Sequence, residues 1–139
     1  MTENEIGDII VNTAIRLHQK LGSGLLESVY EAILEKQFQN QGLSVQRQVA
    51  VPFEYEGILF NEGFRADLIL NDKVIIELKS VEYLNNAHKK QLLTYLKLSG
   101  KKLGYLLNFG EAVMKNGIVR IINGKLSSSR EISSRRHET

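Results

Sequence analysis

The 139-residue chain has no cysteine and no tryptophan, and it contains a single proline. Without cysteine, disulfide frameworks, thiolate zinc sites, iron-sulfur clusters and cysteine nucleophiles are excluded. Carboxylates, histidines and lysines are left to carry any chemistry. With 42% apolar and 24% charged residues, the composition is that of an ordinary globular domain that forms its core without covalent staples.

Long apolar runs are also missing. No segment approaches the roughly 20 apolar residues that cross a membrane. The acidic start, Met1 to Glu5, lacks the basic and then apolar order of a secretory signal. We therefore expect a cytoplasmic protein with no membrane partner. The sequence leaves open whether the chain forms a homo-oligomer.

The net charge of +2 conceals an uneven distribution. Residues 1–63 carry four Lys/Arg against nine Asp/Glu, a balance of −5, whereas residues 64–139 carry fourteen against seven, a balance of +7. A basic half suits a phosphate backbone, because neutralised phosphates release condensed counterions. Lysines also keep ordinary surfaces soluble, so charge alone does not decide between the two explanations.

Hydrophobic periodicity predicts two helices at the start of the chain. Thr2 and Glu5 form a capping-box pattern, after which apolar residues recur at helical spacing up to Gly22. A second helical pattern follows the glycine-rich break at 22–24 and ends at Gly42.

The period changes to two between residues 43 and 79, which predicts three to four strands. Gly57 and residues 61–63 are interpreted as turns, and Asn71-Asp72 predicts a hairpin between the last two strands.

Helical spacing returns from Asn86 to Ser99, and two further strands are predicted at 103–109 and 118–122. The order αα-ββββ-α-ββ predicts an α/β (α+β) fold. We expect one domain over residues 1–126 and a flexible basic tail over 127–139.

Three charged residues interrupt otherwise apolar strands, namely Asp67, Glu77 and Lys79. Burying an unpaired carboxylate is costly, and a divalent metal would be a reason to do it. Glu77 and Lys79 are two residues apart and share one face of a strand. Two carboxylates with a lysine can hold magnesium through oxygen ligands, with the lysine beside a water or a phosphate. A cross-strand ion pair on a solvated face is the alternative.

The hairpin register tests this hypothesis. Asp67 and Glu77 face the same side only if the loop between the strands is odd, most simply Asn71 to Lys73, or if a bulge intervenes. A two-residue loop would pair Asp67 with Ile76 and turn the carboxylates to opposite faces.

The predicted third helix carries a polar stripe. His88, Gln91 and Tyr95 lie on one face, with Lys90 and Lys97 beside them. The stripe is either solvated or placed against nucleic acid, where a tyrosine among lysines stacks or hydrogen-bonds.

The start of the second helix carries Glu27 and Tyr30, one turn apart. An acid in a first turn usually complements the helix macrodipole, and a tyrosine at helical spacing usually joins the core.

Four motifs along the chain are similar to those of a known nuclease superfamily. Residues 24–30 resemble the name-giving motif of the GxxExxY protein family, a branch of the PD-(D/E)XK nuclease superfamily. The others follow in the superfamily's order, so the resemblance covers roughly residues 5–122; they are Arg65-Ala66-Asp67, Ile76-Glu77-Leu78-Lys79 and Gln91-x-x-x-Tyr95. Ala66 stands at a variable position where the superfamily motif is named for proline. The resemblance implies a restriction-endonuclease-like core, with a mixed central sheet flanked by helices.

The resemblance also implies a Mg²⁺- or Mn²⁺-dependent nuclease that hydrolyses phosphodiester bonds of DNA or RNA. Asp67 and Glu77 would bind the metal together with the backbone carbonyl of Leu78. Lys79 would orient or activate the attacking water, and Glu27 would support the metal.

The same resemblance places Gln91 and Tyr95 beside the substrate. We expect Lys89 and Lys90 to bind its phosphates, and no organic cofactor is implied.

Two other functions stay open: a nucleic-acid-binding module that has lost turnover, and a protein interaction domain on the same fold. The intact set of Glu27, Asp67, Glu77 and Lys79 favours catalysis, because a module released from catalysis has no need of a lysine between carboxylates. If Glu27 belongs to this set, its carboxylate lies near those of Asp67 and Glu77, and the cluster raises at least one pKa when no metal is bound.

Overall fold

The computed structural model describes residues 1–126, so the predicted basic tail at 127–139 lies outside the described residues. None of the helices in this range combines the length and the hydropathy needed to cross a bilayer. The three helices are α1 (Glu3–Leu21), α2 (Glu27–Asn40) and α3 (Asn86–Ser99). The five strands are β1 (Val45–Tyr55), β2 (Ile58–Leu70), β3 (Val74–Lys79), β4 (Leu103–Asn108) and β5 (Ile118–Ile122), the last preceded by a 3-10 turn, Met114–Gly117.

The helices begin and end at local signals. At α1 the predicted capping box is confirmed, because the Glu5 carboxylate accepts from Thr2 N (2.7 Å) and the Thr2 hydroxyl accepts from Glu5 N (3.2 Å). A second capping box, between Asn85 and His88, starts α3. That helix ends at Gly100, whose φ of 72° lies in the left-handed region that glycine adopts without strain.

The predicted order of helices and strands is confirmed, with three strands rather than four before α3. The patterns at 45–51 and 53–55, which count as two strands if four are predicted, form the continuous β1. The turn at its end consists of Glu56 and Gly57, with φ of 50° and 79°. Positive φ at both positions is what a two-residue hairpin turn requires.

Residues 61–63, predicted as a turn, instead lie within β2. Three residues of β2 separate Phe60 from Phe64, whereas one residue of β1 separates their partners, so the turn-like residues form a bulge. Gly63 leaves the space that the ring of Phe53 occupies. Small and polar residues that resemble a turn in the sequence are thus used to bend a strand.

The strands form one mixed sheet in the order β1-β2-β3-β4-β5. Strands β3 and β4 are parallel and are connected through α3, and the other neighbours are antiparallel. Leu68 and Ile76 pack under α1 and α2, while Ile69 and Ile75 pack under α3. The sheet therefore lies between two helical layers, and β3 is buried on both faces.

The β2–β3 hairpin has the odd loop that a shared carboxylate face requires. Leu70 pairs with Val74, which leaves residues 71–73 as a three-residue loop and confirms the prediction. Continued along the strands, this register places Asp67 opposite Glu77.

The buried Tyr30 holds the connection between α1 and α2. Its ring stacks on Phe109, with centroids 4.1 Å apart. Its hydroxyl donates to Gly22 O (2.6 Å) and accepts from Leu25 N (3.2 Å). The tyrosine of the 24–30 segment thus belongs to the core, as expected for its helical spacing, and it also fixes the chain that enters α2.

We predict that Tyr30→Phe lowers the free energy of unfolding by about 1–3 kcal/mol, because the ring stays in place while two backbone groups lose their partner. Urea denaturation should show a lower midpoint with an unchanged slope. Tyr83→Phe, at a tyrosine that is 74% exposed, is the matched control. Equal midpoints for the two variants would contradict the role given to the hydroxyl.

Candidate active site

The candidate site lies where the β2–β3 ladder ends. The last backbone pair is Leu68 with Ile76. One position further, Asp67 N donates to Glu77 Oε2 (3.0 Å), and Leu78 N donates to Asp67 Oδ2 (2.8 Å). Each carboxylate thus accepts a hydrogen bond from the opposite strand, so the two acidic side chains are held next to each other.

Side-chain alternation is interrupted at the same level of the sheet. On β2, Ala66 packs on the α3 side and Leu68 on the α1 and α2 side, although they are two residues apart. On β1, Val45 packs on the α1 and α2 side and Val49 on the α3 side, although they are four residues apart and would share a face in a regular strand. Between them Gln48 has a φ of 53°, a conformation that is uncommon outside glycine and concentrates at functional sites.

The irregular backbone of Gln48 lets its side chain connect two elements. Its amide donates to Asp67 Oδ1 (3.2 Å) and to both carboxylate oxygens of Glu31 on α2 (3.1 and 3.0 Å). Glu31 is buried and also accepts from Arg47 Nε at 2.6 Å. Gln48 therefore contacts Asp67 directly, and Glu31 and Arg47 lie behind Gln48 on the same side of Asp67.

Sequence reasoning did not place Glu31, Arg47 or Gln48 at the site. Glu31 follows Glu27 by four residues, which puts both acids on one face of α2. That spacing could have identified Glu31. Nothing local in the sequence marks Gln48 as left-handed.

Glu27 contacts the end of β3 rather than the carboxylate pair. Its Oε2 accepts from Ser80 N at 2.9 Å, one residue beyond Lys79. Within residues 1–126 it makes no hydrogen bond or ion pair with Asp67 or Glu77. The carboxylate of α2 that influences the pair is Glu31, one turn further along the helix.

Lys79 is half-buried at the end of β3 and shares the face of Glu77. Its backbone is fixed by neighbours: Phe109 N donates to Lys79 O (2.8 Å). The buried Asn108 side chain donates to Val81 O (2.9 Å) and accepts from Val81 N (3.0 Å). These bonds hold the stretch that carries the lysine.

Burial and charge repulsion favour a proton on the carboxylate pair. Burial raises the pKa of Glu77 to about 8, with repulsion from Asp67 as the next cause and Glu31 as a smaller one. Burial also raises the pKa of Asp67, against the hydrogen bond from Leu78 N and the charge of Lys79. Burial is thus the main cause of the raised pKa values, and Glu27, whose presence beside the pair was expected to contribute, is not among the causes.

The donor set fits a divalent cation. No three Asp, Glu or His side chains in the described range are grouped so as to hold an ion by themselves. Mg²⁺, however, commonly uses one or two carboxylates and completes its shell with water and substrate phosphate. Asp67 and Glu77 provide two adjacent hard oxygen ligands, and a cation would offset the repulsion that favours their protonation.

Tyr95 connects α3 to this site. Its half-buried ring stacks on Phe64 of β2, with centroids 4.0 Å apart. Burial raises the pKa of Tyr95, and the charges of Glu77 and Asp67 raise it further. The tyrosine of the predicted polar stripe therefore packs on the sheet, where the charges of the two acids influence it.

The other residues of the predicted polar stripe on α3 differ in their contacts and exposure. His88 closes the cap of α3 with Asn85, so it is tied to the helix end. Gln91 and Lys90 are exposed, and Lys89 is half-buried. No hydrogen bond within residues 1–126 joins Gln91 to the acids, and its role beside a substrate stays a prediction.

Comparisons with known proteins bear on the family. No curated protein sequence is significantly similar to the chain. The crystal structure of SSO0001 aligns with a TM-score of 0.48 at 21% identity, over 81% of this chain and 57% of that one, so the chain spans little more than half of that protein.

The family description that matches is that of the PD-(D/E)XK nuclease superfamily, over residues 4–121. The match is to the superfamily as a whole and does not identify a branch within it. Nucleases of this superfamily generally use divalent metals. The matched range contains every strand residue of the candidate site, and the sheet between helices is the restriction-endonuclease-like fold. The chain belongs to the PD-(D/E)XK nuclease superfamily.

Proposed function

We propose that this protein is a Mg²⁺- or Mn²⁺-dependent nuclease that hydrolyses phosphodiester bonds of DNA or RNA. The observation that carries the proposal is the pair of Asp67 and Glu77, held together by reciprocal hydrogen bonds with Lys79 on the same face. A divalent cation would add positive charge to that of Lys79 beside the buried Glu77 and the half-buried Asp67.

The proposed roles follow from the charges. Hydrolysis adds water to phosphorus and breaks the bond to the leaving oxygen, and negative charge builds up on the phosphate. Lys79 is suited to stabilise that charge and to hold the attacking water. When bound by Asp67 and Glu77, with the Leu78 carbonyl as a further ligand, the cation supplies Lewis-acid polarisation of the phosphate.

The residues around the pair act by positioning. Gln48 fixes one oxygen of Asp67, and Arg47 balances the charge of Glu31 behind it. Glu27 holds the backbone immediately after Lys79, and we propose that it supports the site through this contact.

The α3 face is proposed to bind the substrate. Lys89, Lys90 and Lys97 lie on a helix without Asp or Glu, which suits sequence-independent phosphate contacts. Gln91 and Tyr95 belong to the same helix, and the charges of Glu77 and Asp67 raise the pKa of Tyr95. We also propose that the chain belongs to the GxxExxY branch, on the basis of Gly24, Glu27 and Tyr30.

We predict metal-dependent cleavage of nucleic acid that falls at least about a hundredfold in Asp67→Asn or Lys79→Ala, because each change removes a charge that acts on the transition state. Single-stranded, duplex and branched DNA and RNA are assayed with Mg²⁺ and with Mn²⁺. Asp8→Asn and Lys36→Ala, at exposed positions on α1 and α2, are the matched controls.

Calorimetric titration of each metal separates binding from turnover in the same proteins. Metal binding by the unaltered protein and its loss in Asp67→Asn support the site. Salt-sensitive binding of nucleic acid without cleavage of any substrate would instead favour the module that has lost turnover, and absence of both activities would favour the interaction domain.

We predict that Lys89→Ala combined with Lys90→Ala weakens nucleic-acid binding and makes it less salt-dependent. Each lost phosphate contact should lower the slope of log K against log salt by about 0.7 to 0.9. Binding is measured in the Asp67→Asn background, so that cleavage does not interfere. Lys20→Ala with Lys36→Ala, on the helices of the opposite sheet face, should leave the slope unchanged; an equal effect of both pairs would remove α3 from the interface.

We predict that the metal-free protein loses stability as pH rises from about 5 to about 8. The pKa of Glu77 is about 8 in the folded state against an ordinary value of 4.5, so the folded state binds the proton more tightly. This stabilisation is complete below the lower value and is lost through the upper one. The loss should be on the order of a few kcal/mol, since one pKa unit is about 1.4 kcal/mol.

Glu77→Gln should flatten this pH dependence, because its amide does not titrate. Glu82→Gln, at an exposed carboxylate near the end of β3, should leave the dependence in place. Urea midpoints at several pH values in the presence of a chelator measure both. A wild-type protein whose stability changes no more than that of Glu77→Gln would show that Glu77 is ionised in the folded state at neutral pH.

A further inference from the structure

The β1–β2 hairpin extends beyond the helical layers. We call residues 52–63 the arm. From Val51 to Tyr55, four steps at about 3.4 Å each carry the arm roughly 14 Å outward. Within residues 1–126, neither core cluster includes Tyr55, Ile58, Leu59 or Phe60.

One face of the arm is apolar. Phe53 pairs with Phe60 and Tyr55 with Ile58, and directly paired residues of antiparallel strands lie on the same face. The rings of Phe53 and Phe60 stack with centroids 5.0 Å apart. Tyr55 is 61% exposed, Ile58 57% and Phe60 42%. These four residues form a contiguous apolar surface of the kind that marks an interaction site.

The apolar face of the arm continues the sheet face that α3 covers. Val49 and Val51 pack on the α3 side, and Phe53 and Tyr55 follow at the same spacing of two. At the base of the arm, Phe64 stacks on Tyr95 of α3. Helix α3 therefore borders the exposed apolar face of the arm on one side.

The arm and helix α3 carry charges of opposite sign. From residue 48 to 64 the charged residues are Glu54, Glu56, which lies at the tip, and Glu62, which forms an ion pair with Arg65. From 85 to 100 they are Lys89, Lys90 and Lys97, with no Asp or Glu. An acidic arm repels a phosphate backbone and attracts a basic surface.

We propose that the arm is the docking surface for a second copy of this chain, with the two apolar faces packed against each other in antiparallel orientation. A two-fold dimer uses the same patch on both copies, and this face is its own apolar complement. Antiparallel packing brings the acidic tip of each arm to the basic α3 of its partner. Parallel packing would place like-charged tips together, which disfavours it.

The sequence of residues 127–139 carries no apolar set that would match this face. Residues 127–139 contain Ile132 as their only apolar residue. A second copy, in contrast, offers four apolar side chains and the opposite charge together. The proposal goes beyond the nuclease proposal and does not rest on it, because the arm contains none of the residues assigned to catalysis.

The test measures self-association of the full chain by sedimentation equilibrium over a range of concentrations. We expect a dimer whose dissociation constant rises at least about tenfold in the double variant Tyr55→Ser, Ile58→Ser, since buried aromatic and aliphatic anchors dominate such interfaces. Leu59→Ser is the matched control: it lies on the opposite face of the same hairpin, is 64% exposed and should leave the dimer intact.

Charge exchange tests the orientation. Glu56→Lys, at the tip of the arm, should weaken self-association, whereas Glu54→Lys, on the opposite face with its pairing partner Leu59, should not. Lys89→Glu with Lys90→Glu and Lys97→Glu should also weaken it, and mixing this variant with Glu56→Lys should restore association between them. Circular dichroism confirms that each variant is folded. A wild-type protein that stays monomeric, or a dimer insensitive to Tyr55→Ser and Ile58→Ser, overturns the proposal. A monomer whose nucleic-acid binding is lost in that double variant overturns it in favour of a nucleic-acid contact.

Discussion

The pairing register of β2 with β3 is the constraint on which the site depends. A three-residue loop at 71–73 sets Asp67 opposite Glu77, and a loop shorter by one residue would turn one of them to the other face of the sheet. With the register set, each carboxylate accepts a backbone hydrogen bond from the opposite strand, and Lys79 falls on the same face as Glu77. Turn geometry thus decides whether the charged residues form one site.

Holding two acids this close has an energetic cost that neighbouring groups reduce. Gln48 and the N–H of Leu78 donate to Asp67, and the charge of Lys79 favours ionisation of both acids. These contacts do not fully offset burial, as the raised pKa of Glu77 shows. The uncompensated repulsion and burial cost are what a bound cation can offset, which favours metal binding by this pair.

Periodicity in the sequence predicted the helices and the order of strands. The odd loop was predicted only because the metal-site hypothesis required it, since turn chemistry alone indicated Asn71-Asp72. The sequence did not predict what depends on tertiary contact. Glu31 lies in an ordinary amphipathic helix, and only the packing of α2 brings it to Gln48. Residues 61–63 have the composition of a turn, but a bulge uses the same small and polar residues. Local sequence patterns therefore predict the helices and strands, whereas contacts between residues distant in the sequence determine which charged side chains lie together.

The two proposals make use of the same lysines. Phosphates bound at Lys89 and Lys90 would leave Glu56 of a docked arm without opposite charge. Because coupling between two binding events is reciprocal, nucleic acid should weaken self-association by the same factor by which self-association weakens nucleic-acid binding. Nucleic acid and the acidic arm of a second copy would then compete for the lysines of α3, although the net charge of the whole chain is only +2. Such a competition would make binding at this helix depend on protein concentration as well as on salt.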